Sequence, residues 1–333
     1  MPLRRGLPLH SLASVLHITR HSDHHLTMAS LPTTFDKPVH VAVIGGTGLS
    51  QLEGYTPIAA LNPDTPWGKP ASPIHILSHG DINVAFLARH GLHHQFAPHE
   101  VPNRANIAAL RSIGVRSVVA FSAVGSLQED IKPMDFVLPD QVIDRTKGIR
   151  PFTFYEGGVV GHVGFADPFD KKLADVVKTC AAAMVGDGVV LHDKGTLICM
   201  EGPQFSTRAE SHMYRSWGGS VINMSTLPEA KLAREAELSY QVICMATDYD
   251  CWRSTEDVNV EMVIKYMQAN SKNAKHLVSA VLDQLSKSEH TELATATHWK
   301  GSVEGAIKFM TKAEGRSEQG TKNVEYLFPG FWA

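Results

Sequence analysis

Short apolar runs alternate with amphipathic stretches along most of the chain, and this alternation predicts strands and helices in turn. The apolar runs predict strands over residues 39–44, 82–88, 117–121, 135–138, 196–200, 221–223 and 239–246. Segments with helical periodicity lie at 106–113, 170–185, 207–217, 226–237 and 260–285. Strands that alternate with helices predict an α/β sandwich whose central sheet is largely parallel or mixed.

Two of the predicted helices begin with a Thr followed three residues later by a Glu. These pairs are Thr207 with Glu210, and Thr226 with Glu229. In a capping box the Thr hydroxyl and the Glu carboxylate satisfy free backbone N–H groups at the helix start. We therefore predict a capping box at both positions.

The first 37 residues differ from the rest of the chain. They are rich in Ser and His, carry three arginines, and have no acidic residue before Asp23. This composition is typical of a transit peptide. An untargeted disordered tail is the favoured alternative, with translation from Met28 as a further one. We predict an N-terminal extension over 1–37 that is disordered or targeting.

The region after the extension contains no internal repeat, and no long linker interrupts residues 38–285. One domain over 38–333 is therefore predicted. Residues 286–323 are richer in Ser, Thr, Glu, Gly and Lys, which predicts a loop-rich insertion. Residues 324–333 form an apolar tail, which we expect to dock on its own subunit or on a neighbour.

Composition limits the classes of function. The 333 residues are 43% hydrophobic and 20% charged, with a net charge of −3. This balance argues against nucleic acid or an anionic membrane as the main partner. No apolar stretch approaches the ~20 residues that span a bilayer. The four scattered cysteines suggest reduced thiols. We expect a cytoplasmic protein, with the nucleus as a second location; mitochondrial targeting by residues 1–27 is the less favoured alternative.

Two carboxylates follow the predicted strand at 239–246. Asp248 and Asp250 are two residues apart, so in an extended chain both side chains point to the same side. Two neighbouring acids do not both ionise easily, and one then holds a proton near neutral pH. Such a group can protonate a leaving group. The alternative is a solvated acidic turn.

Small polar or cationic residues follow other predicted strands. Thr47, Arg89, Ser122 and Ser225 all stand near such ends, beside glycines or a helix start. Backbone N–H groups, hydroxyls and a guanidinium together suit inorganic phosphate, without a metal. The alternatives are tight turns without a ligand and a surface salt bridge. A zinc site is a weaker interpretation of His90, His93, His94 and His99, since HExxH is absent.

Ten ordered motifs between residues 39 and 273 resemble the 5'-methylthioadenosine phosphorylase branch of the trimeric purine nucleoside phosphorylases. They are VAVIGGTGL (41–49), DTPWGKPA (64–71), LARHG (87–91), PNRANIAAL (102–110), FSAVGSL (121–127), DQVIDRT (140–146), HVGFADPF (162–169), EGPQFSTRAE (201–210), INMSTLPEA (222–230) and ATDYDCW (246–252). The resemblance implies a single-domain three-layer sandwich with a mixed central sheet, which assembles as a homotrimer.

The resemblance also implies a reaction, in which methylthioadenosine and phosphate give adenine and 5-methylthioribose-1-phosphate without a cofactor. It assigns Asp248 to N7 of the base, Asp250 to the 6-amino group, Met224 to the ribose and Phe205 to packing on the base. The residues implied to hold phosphate are Thr47, Arg89, His90, Ser122, Ala123 and Ser225. Those implied to line the methylthio pocket are His162, Val260, Val263, Ile264 and, from a neighbouring subunit, Leu327.

Two positions separate close relatives. Phosphorylases of guanosine and inosine have Asn where this chain has Asp248 and Glu where it has Ser206, so the resemblance implies a 6-aminopurine substrate. Relative to the animal enzymes, Ser122 replaces Thr, Gln204 replaces Arg and Val124 replaces Cys. Three alternatives remain open: a broader purine nucleoside phosphorylase acting on adenosine or inosine, a non-catalytic nucleoside-binding module, and a hydrolytic nucleosidase.

Overall fold

A mixed β-sheet forms the scaffold of the protein. The computed structural model describes residues 31–47, 49, 52–186, 188–253 and 260–333, and within it Pro32–Ala333 is one compact unit. The strands, in chain order, are β1 (Val41–Gly45), β2 (Thr56–Leu61), β3 (Ile74–His79), β4 (Ile82–Ala88), β5 (Ser117–Ser126), β6 (Phe136–Val137), β7 (Gln141–Arg145), β8 (Leu191–His192), β9 (Thr196–Met200), β10 (Gly219–Asn223) and β11 (Ser239–Asp248).

Parallel strands occupy the centre of the sheet. Strand β1 pairs in parallel with β4 and β5, and β11 pairs in parallel with β5. Strands β2, β3 and β4 pair antiparallel at one edge, and β10 pairs antiparallel with the end of β5. Every residue of β1 and β11 is buried, as expected for central parallel strands covered on both faces.

Helices cover both faces of the sheet. They are α1 (Asn103–Ser112), α2 (Lys171–Thr179), α3 (Arg208–Ser216), α4 (Thr226–Glu235), α5 (Val260–Leu285), α6 (Thr291–Ala294), α7 (Glu304–Lys308) and α8 (Glu318–Leu327). Ile44 of β1 packs in one apolar cluster with α1 and α4, whereas the adjacent Val43 packs in another with α2 and α5. Because successive strand residues point to opposite faces, this arrangement confirms the predicted α/β sandwich with a mixed sheet.

Element boundaries agree best where the pattern is long and strongly apolar. The predicted strands at 82–88 and 196–200 and the helix at 260–285 have the observed bounds. The helix predicted over 170–185 ends at Thr179 and is followed by a short 3-10 turn. Strands β2 and β3 lie outside the predicted elements. The edge strand β2 has partly exposed positions, and His75, Ser78 and His79 interrupt the apolar pattern of β3.

Only one of the two predicted capping boxes forms. Thr207 and Glu210 make both reciprocal hydrogen bonds at the start of α3. The prediction for Thr226 and Glu229 is wrong, because Ser225 is the N-cap of α4 and makes no side-chain capping bond. Glu229 instead points into the protein, where it forms an ion pair with Arg89.

The C-terminal region corrects a further expectation. The segment predicted as loop-rich, 286–323, contains α6, α7, part of α8 and three short 3-10 turns. Helices this short show little periodicity in a sequence and are stabilised mainly by tertiary packing. Here Val303 and Ile307 are completely buried. The predicted N-terminal extension falls mostly on residues 1–30, which lie outside the described residues.

None of the helices in the described residues has the length and apolar character needed to cross a membrane.

Candidate active site

A cavity of about 520 Å³ opens where the central parallel strands end. The C-terminal ends of β1, β4, β5 and β11 meet at this edge, and the turn between β10 and α4 completes it. Twelve of the sixteen residues predicted from the sequence line the cavity. They are Thr47, Arg89, His90, Ser122, Ala123, Phe205, Ser206, Met224, Ser225, Asp248, Asp250 and Val263.

Arg89 is the main cation of this cavity, and its guanidinium is already paired. Nε and Nη2 donate to the two carboxylate oxygens of Glu229 at 2.7 and 2.8 Å. Nη1 donates to the Phe121 carbonyl at 2.7 Å. Both side chains are almost completely buried. Burial alone would lower the pKa of Arg89, but the Glu229 carboxylate outweighs burial and raises that pKa, so Arg89 stays charged.

A close approach of backbones at Gly46 makes room for Arg89. A Cβ atom at this position would lie 2.5 Å from the Phe121 carbonyl oxygen and 2.7 Å from Arg89 Nη1. No side chain fits there, which explains the glycine between β1 and Thr47. Thr47 is the next residue, so it directly follows the turn at Gly46 that packs against Arg89. The sequence interpretation of this segment as an anion-binding turn is compatible with that geometry.

Hydroxyl groups cluster beside this cation. Ser122 Oγ lies 3.0 Å from Ser225 Oγ, and Asn223 Nδ2 donates to Ser122 Oγ at 2.9 Å. The same Asn223 nitrogen donates to Thr226 Oγ1 at 2.7 Å. Asn223 thus fixes Ser122, and the serine pair lies at the start of α4. Leu227 departs from helical geometry, so the regular part of α4 begins after it, and the serine hydroxyls themselves are the donors that favour an anion at this end of the cavity.

His90 is uncharged near neutral pH. Burial, helped by the adjacent Arg89 charge, lowers the pKa of His90 to about 4. Its Nδ1 lies 2.8 Å from the Phe96 carbonyl oxygen, which can only accept a hydrogen bond. Nδ1 therefore carries the ring proton, and Nε2 is left as an acceptor. An oxyanion that still carries one proton can donate to such a nitrogen.

The two aspartates lie at a separate end of the cavity. Asp248 ends β11 opposite Gly125 of β5, where a Cβ atom would come within 3.0 Å of Asp248 Oδ1. Ser122 lies three residues earlier on β5, about 10 Å away at the usual strand rise. The end of β5 therefore spans the distance from the hydroxyl cluster to the carboxylates, with Ala123 and Val124 lining the cavity between them.

Both carboxylates bind protein donors, and neither has a cation beside it among the described residues. Asp248 Oδ2 accepts from Thr247 Oγ1 at 2.8 Å and Oδ1 from the Asp250 N–H at 2.8 Å. Asp250 accepts from the Ser211 hydroxyl. Burial is the largest cause that raises the pKa of Asp248, to about 6, with the Asp250 charge a lesser one. Burial also raises the pKa of Asp250. The predicted repulsion between the acids is thus secondary to desolvation.

Between the two ends, apolar groups form a wall suited to a planar ring and a sugar. Phe205 lines the cavity with 46% of its surface still exposed, and Met200 and Met224 lie beside it. Ser206 is buried, and its Oγ donates to Met200 Sδ at 3.4 Å. Val263 of α5 contributes a branched side chain to the same wall.

Three predicted residues lie outside the cavity lining. Ile264 is exposed on α5, and His162 lines a different groove with Phe152 and Val160. Leu327 is 2% exposed in the core of its own chain, so the prediction that it closes a neighbour's pocket is wrong. The side chain of Val260 lies outside the described residues.

Sequence reasoning missed several residues of the site. The segment 94–100, in which His94 stacks on His90 with ring centroids 4.6 Å apart, lines the cavity beside the cation. The cluster of histidines was the available signal, but of its members only His90 was assigned to the site. Asn223, Thr247 and Glu229 were also missed. Asn223 and Glu229 act through hydrogen bonds to residues distant in sequence, and Thr247 acts through a hydrogen bond to the adjacent Asp248.

The arrangement can bind an anion and protonate a leaving group at opposite ends of one ligand. A paired arginine and a cluster of hydroxyls suit a phosphate, and a carboxyl whose pKa is raised to about 6 can supply a proton. Among the described residues no three His, Cys, Asp or Glu side chains form a group that could hold a metal ion.

Comparisons with known proteins agree with this geometry. The sequence profile of the phosphorylase superfamily matches residues 40–283. The S-methyl-5'-thioadenosine phosphorylase of Fusarium vanettenii is 80% identical and covers 92% of this chain and 99% of its own length.

Solved structures give the same result at lower identity. A methylthioadenosine phosphorylase from an antarctic soil metagenomic library is 38% identical, with a TM-score of 0.78 over 88% of this chain and 100% of that one. A variant of the adenosine/methylthioadenosine phosphorylase of Schistosoma mansoni, crystallised with methylthioadenosine, is 32% identical. It has a TM-score of 0.76 over 81% of this chain and 99% of its own.

Proposed function

The chain belongs to the phosphorylase superfamily, and we propose that it cleaves 5'-methylthioadenosine with inorganic phosphate, releasing adenine and 5-methylthioribose-1-phosphate. The enzyme is thus a pentosyltransferase of purine and methionine salvage. The observation that carries the assignment is the pairing, in one cavity, of a buried acid at Asp248 with an anion-binding cluster around Arg89. The relatives named S-methyl-5'-thioadenosine phosphorylase supply the substrate.

The proposed chemistry follows from where charge develops. Breaking the N-glycosidic bond leaves electron density on the purine and positive charge on the sugar. Asp248 donates a proton or a strong hydrogen bond to N7, which stabilises the leaving base. Phosphate attacks C1' of the ribose, and its negative charge offsets the positive charge that develops on the sugar. No covalent enzyme intermediate is required.

The remaining roles are part of the proposal. Asp250 binds the 6-amino group, Phe205 packs on the base, and the Met224 backbone contacts the ribose. Ser206 stands where enzymes of 6-oxopurines have Glu, which supports a 6-aminopurine substrate. Val260, Val263 and Ile264 form the methylthio side. The proposed phosphate ligands are Thr47, Arg89, His90, Ser122, Ala123 and Ser225.

A phosphate-dependence assay tests the function directly. Purified protein is incubated with methylthioadenosine with and without inorganic phosphate, and adenine and the sugar product are quantified. We expect adenine release only with phosphate, in a one-to-one ratio with the sugar phosphate. Phosphate-independent release with free methylthioribose would identify a hydrolase instead, and binding without turnover would identify a nucleoside-binding module.

A broader purine nucleoside phosphorylase is the second candidate. It is favoured by one similar structure, whose protein is named for both adenosine and methylthioadenosine. Phosphorolysis rates for methylthioadenosine, adenosine and inosine, measured side by side, separate the candidates. We expect methylthioadenosine to be fastest and inosine, a 6-oxopurine nucleoside, to be slowest.

We also propose that the enzyme is a homotrimer whose subunits complete each other's sites. Ile264, next to the cavity-lining Val263, is 44% exposed, which leaves the proposed methylthio side open to solvent in the single chain. A groove of about 490 Å³ around His162 exposes Phe152 and Val160, which suits a subunit contact. Analytical ultracentrifugation tests the assembly, with Phe152→Asp expected to weaken it. An active wild-type monomer would contradict the proposal.

A further inference from the structure

Glu229, which forms an ion pair with Arg89, lies behind the phosphate end of the cavity rather than in it. Arg89 lines the cavity, whereas Glu229 on α4 is completely buried and contacts the guanidinium along the edge formed by Nε and Nη2. Two parallel N–H···O bonds of 2.7 and 2.8 Å hold the two planes together. Such fork-to-fork geometry fixes the orientation of a guanidinium more strongly than a single bond does.

The donor count of Arg89 shows what this pair leaves available. A guanidinium has five N–H groups, of which two bind Glu229 and one binds the Phe121 carbonyl. The Tyr240 hydroxyl is a further hydrogen-bonding partner of the guanidinium. In the described part of the chain, one N–H of Nη1 is left without a protein acceptor, and it can donate to a phosphate oxygen.

Glu229 is itself held in place by Tyr240. The Tyr240 hydroxyl donates to Glu229 Oε1 at 2.7 Å from the buried strand β11. The Tyr240 ring in turn stacks on Phe169. The carboxylate therefore has three donors from two side chains, and neither it nor Arg89 can turn without losing one of them.

We infer that Glu229 is a positioning residue for phosphate, which orients Arg89 and also weakens the net attraction of this site for the anion. The inference rests on the proposed phosphorolysis. Without Glu229, a phosphate dianion would face a buried cation with no counterion, and would bind more tightly than turnover requires. Stronger binding of the ground state does not by itself lower the barrier to reaction.

Two substitutions separate charge from position. Glu229→Gln keeps the length of the side chain but removes its charge and leaves Arg89 one acceptor oxygen instead of two, whereas Glu229→Asp keeps the charge but withdraws the carboxylate by one methylene. We expect Gln to lower the dissociation constant of inorganic phosphate by about ten-fold and to lower kcat, because the Arg89 charge is no longer offset. We expect Asp to raise the Michaelis constant for phosphate by about ten-fold, because Arg89 loses its bidentate partner.

The measurements are phosphate titrations of the melting temperature and steady-state kinetics on the full-length enzyme. Glu237→Gln is the matched control, since it also removes a buried carboxylate beside an arginine, Arg111, remote from the cavity. The increase in melting temperature with phosphate should be larger than wild type for Glu229→Gln and unchanged for Glu237→Gln. If the Gln variant does not fold, the expected rise in the Asp variant's Michaelis constant still tests the inference.

The outcomes distinguish this inference from the proposed function. A wild-type enzyme that phosphate neither stabilises nor activates would overturn the proposed function and this inference with it. A phosphate-dependent wild type whose Glu229 variants lose thermal stability but keep its phosphate affinity would overturn the inference alone. Glu229 would then only hold α4 to β4.

Discussion

The two ends of the candidate active site treat charge in opposite ways. At the phosphate end, Arg89 is 1% exposed and its charge is matched by Glu229 through two short hydrogen bonds. At the base end, Asp248 is 4% exposed and has only neutral donors and another acid beside it. Arg89 and Asp248 are buried to nearly the same extent, so the difference between the two ends lies in the partner of each charged group.

That difference matches what each end has to do in the proposed reaction. A permanent cation with a fixed counterion keeps its charge and orientation while phosphate enters and leaves. A carboxyl buried without a cation keeps a proton to higher pH, and burial raises its pKa to about 6. The same removal of water thus preserves a charge at one end and suppresses one at the other.

The largest expected effect is the loss of the acid. Asp248→Asn should lower turnover of methylthioadenosine by about 10²–10⁴-fold, because the amide cannot supply the carboxyl proton. Phosphate should still stabilise the variant, since the Arg89 end is unchanged. Steady-state rates and phosphate-dependent melting measure the two ends separately. Near-native turnover would refute the assignment of Asp248 as the acid.

The base end was more predictable from sequence than the phosphate end. Asp248 ends a completely buried strand, and Asp250 follows it in left-handed backbone (φ 50°) rather than in extended chain, yet both line one cavity as the local pattern predicts. The partner of Arg89 stands 140 residues away, and Glu229 looks like half of a capping box. Local sequence rules cannot distinguish a carboxylate that caps its own helix from one that crosses to another strand.

The C-terminal region shows the same limit on a larger scale. Residues 286–323 have a polar composition, yet they fold into short helices around Val303 and Ile307. Leu327 packs into its own core, and its carbonyl accepts from Arg111 Nε at 2.6 Å. Contacts between segments far apart in the chain decide these outcomes, and neither periodicity nor motif resemblance contains that information.

The second prediction breaks the ion pair at the phosphate end. Arg89→Met should destabilise the protein by about 3–5 kcal/mol, because Glu229 is left buried without a counterion. Adding Glu229→Leu should recover much of that stability, whereas phosphorolysis should stay lost in both variants. Chemical denaturation and activity assays on the single and double variants test this. A double variant as unstable as the single would mean that the loss comes from packing rather than charge.

The third prediction concerns pH at the base end without substrate. The pKa of Asp248 rises from 3.8 in the unfolded chain to about 6 in the folded one. Its ionisation therefore costs stability as pH rises through that interval, about 3 kcal/mol in total. Asp248→Asn, which cannot ionise, should gain about this much relative to wild type between pH 4 and pH 8. A difference between the two proteins that does not change with pH would contradict the raised pKa.

The smallest predicted effects compare one neutral hydroxyl from each end. Ser122→Ala removes a group that contacts Ser225 and Asn223, and Ser206→Ala removes one that donates to a methionine sulfur. Losing a hydroxyl that binds phosphate should cost about 1 kcal/mol, or roughly five-fold in the Michaelis constant for phosphate. A sulfur acceptor is weak, so Ser206→Ala should change the constant for methylthioadenosine by less and leave that for phosphate unchanged. Each variant is thus the control for the other, because a substitution at one end should not change the Michaelis constant of the substrate that binds at the other end. If Ser122→Ala raised both constants equally, the two ends would not act as separate binding sites.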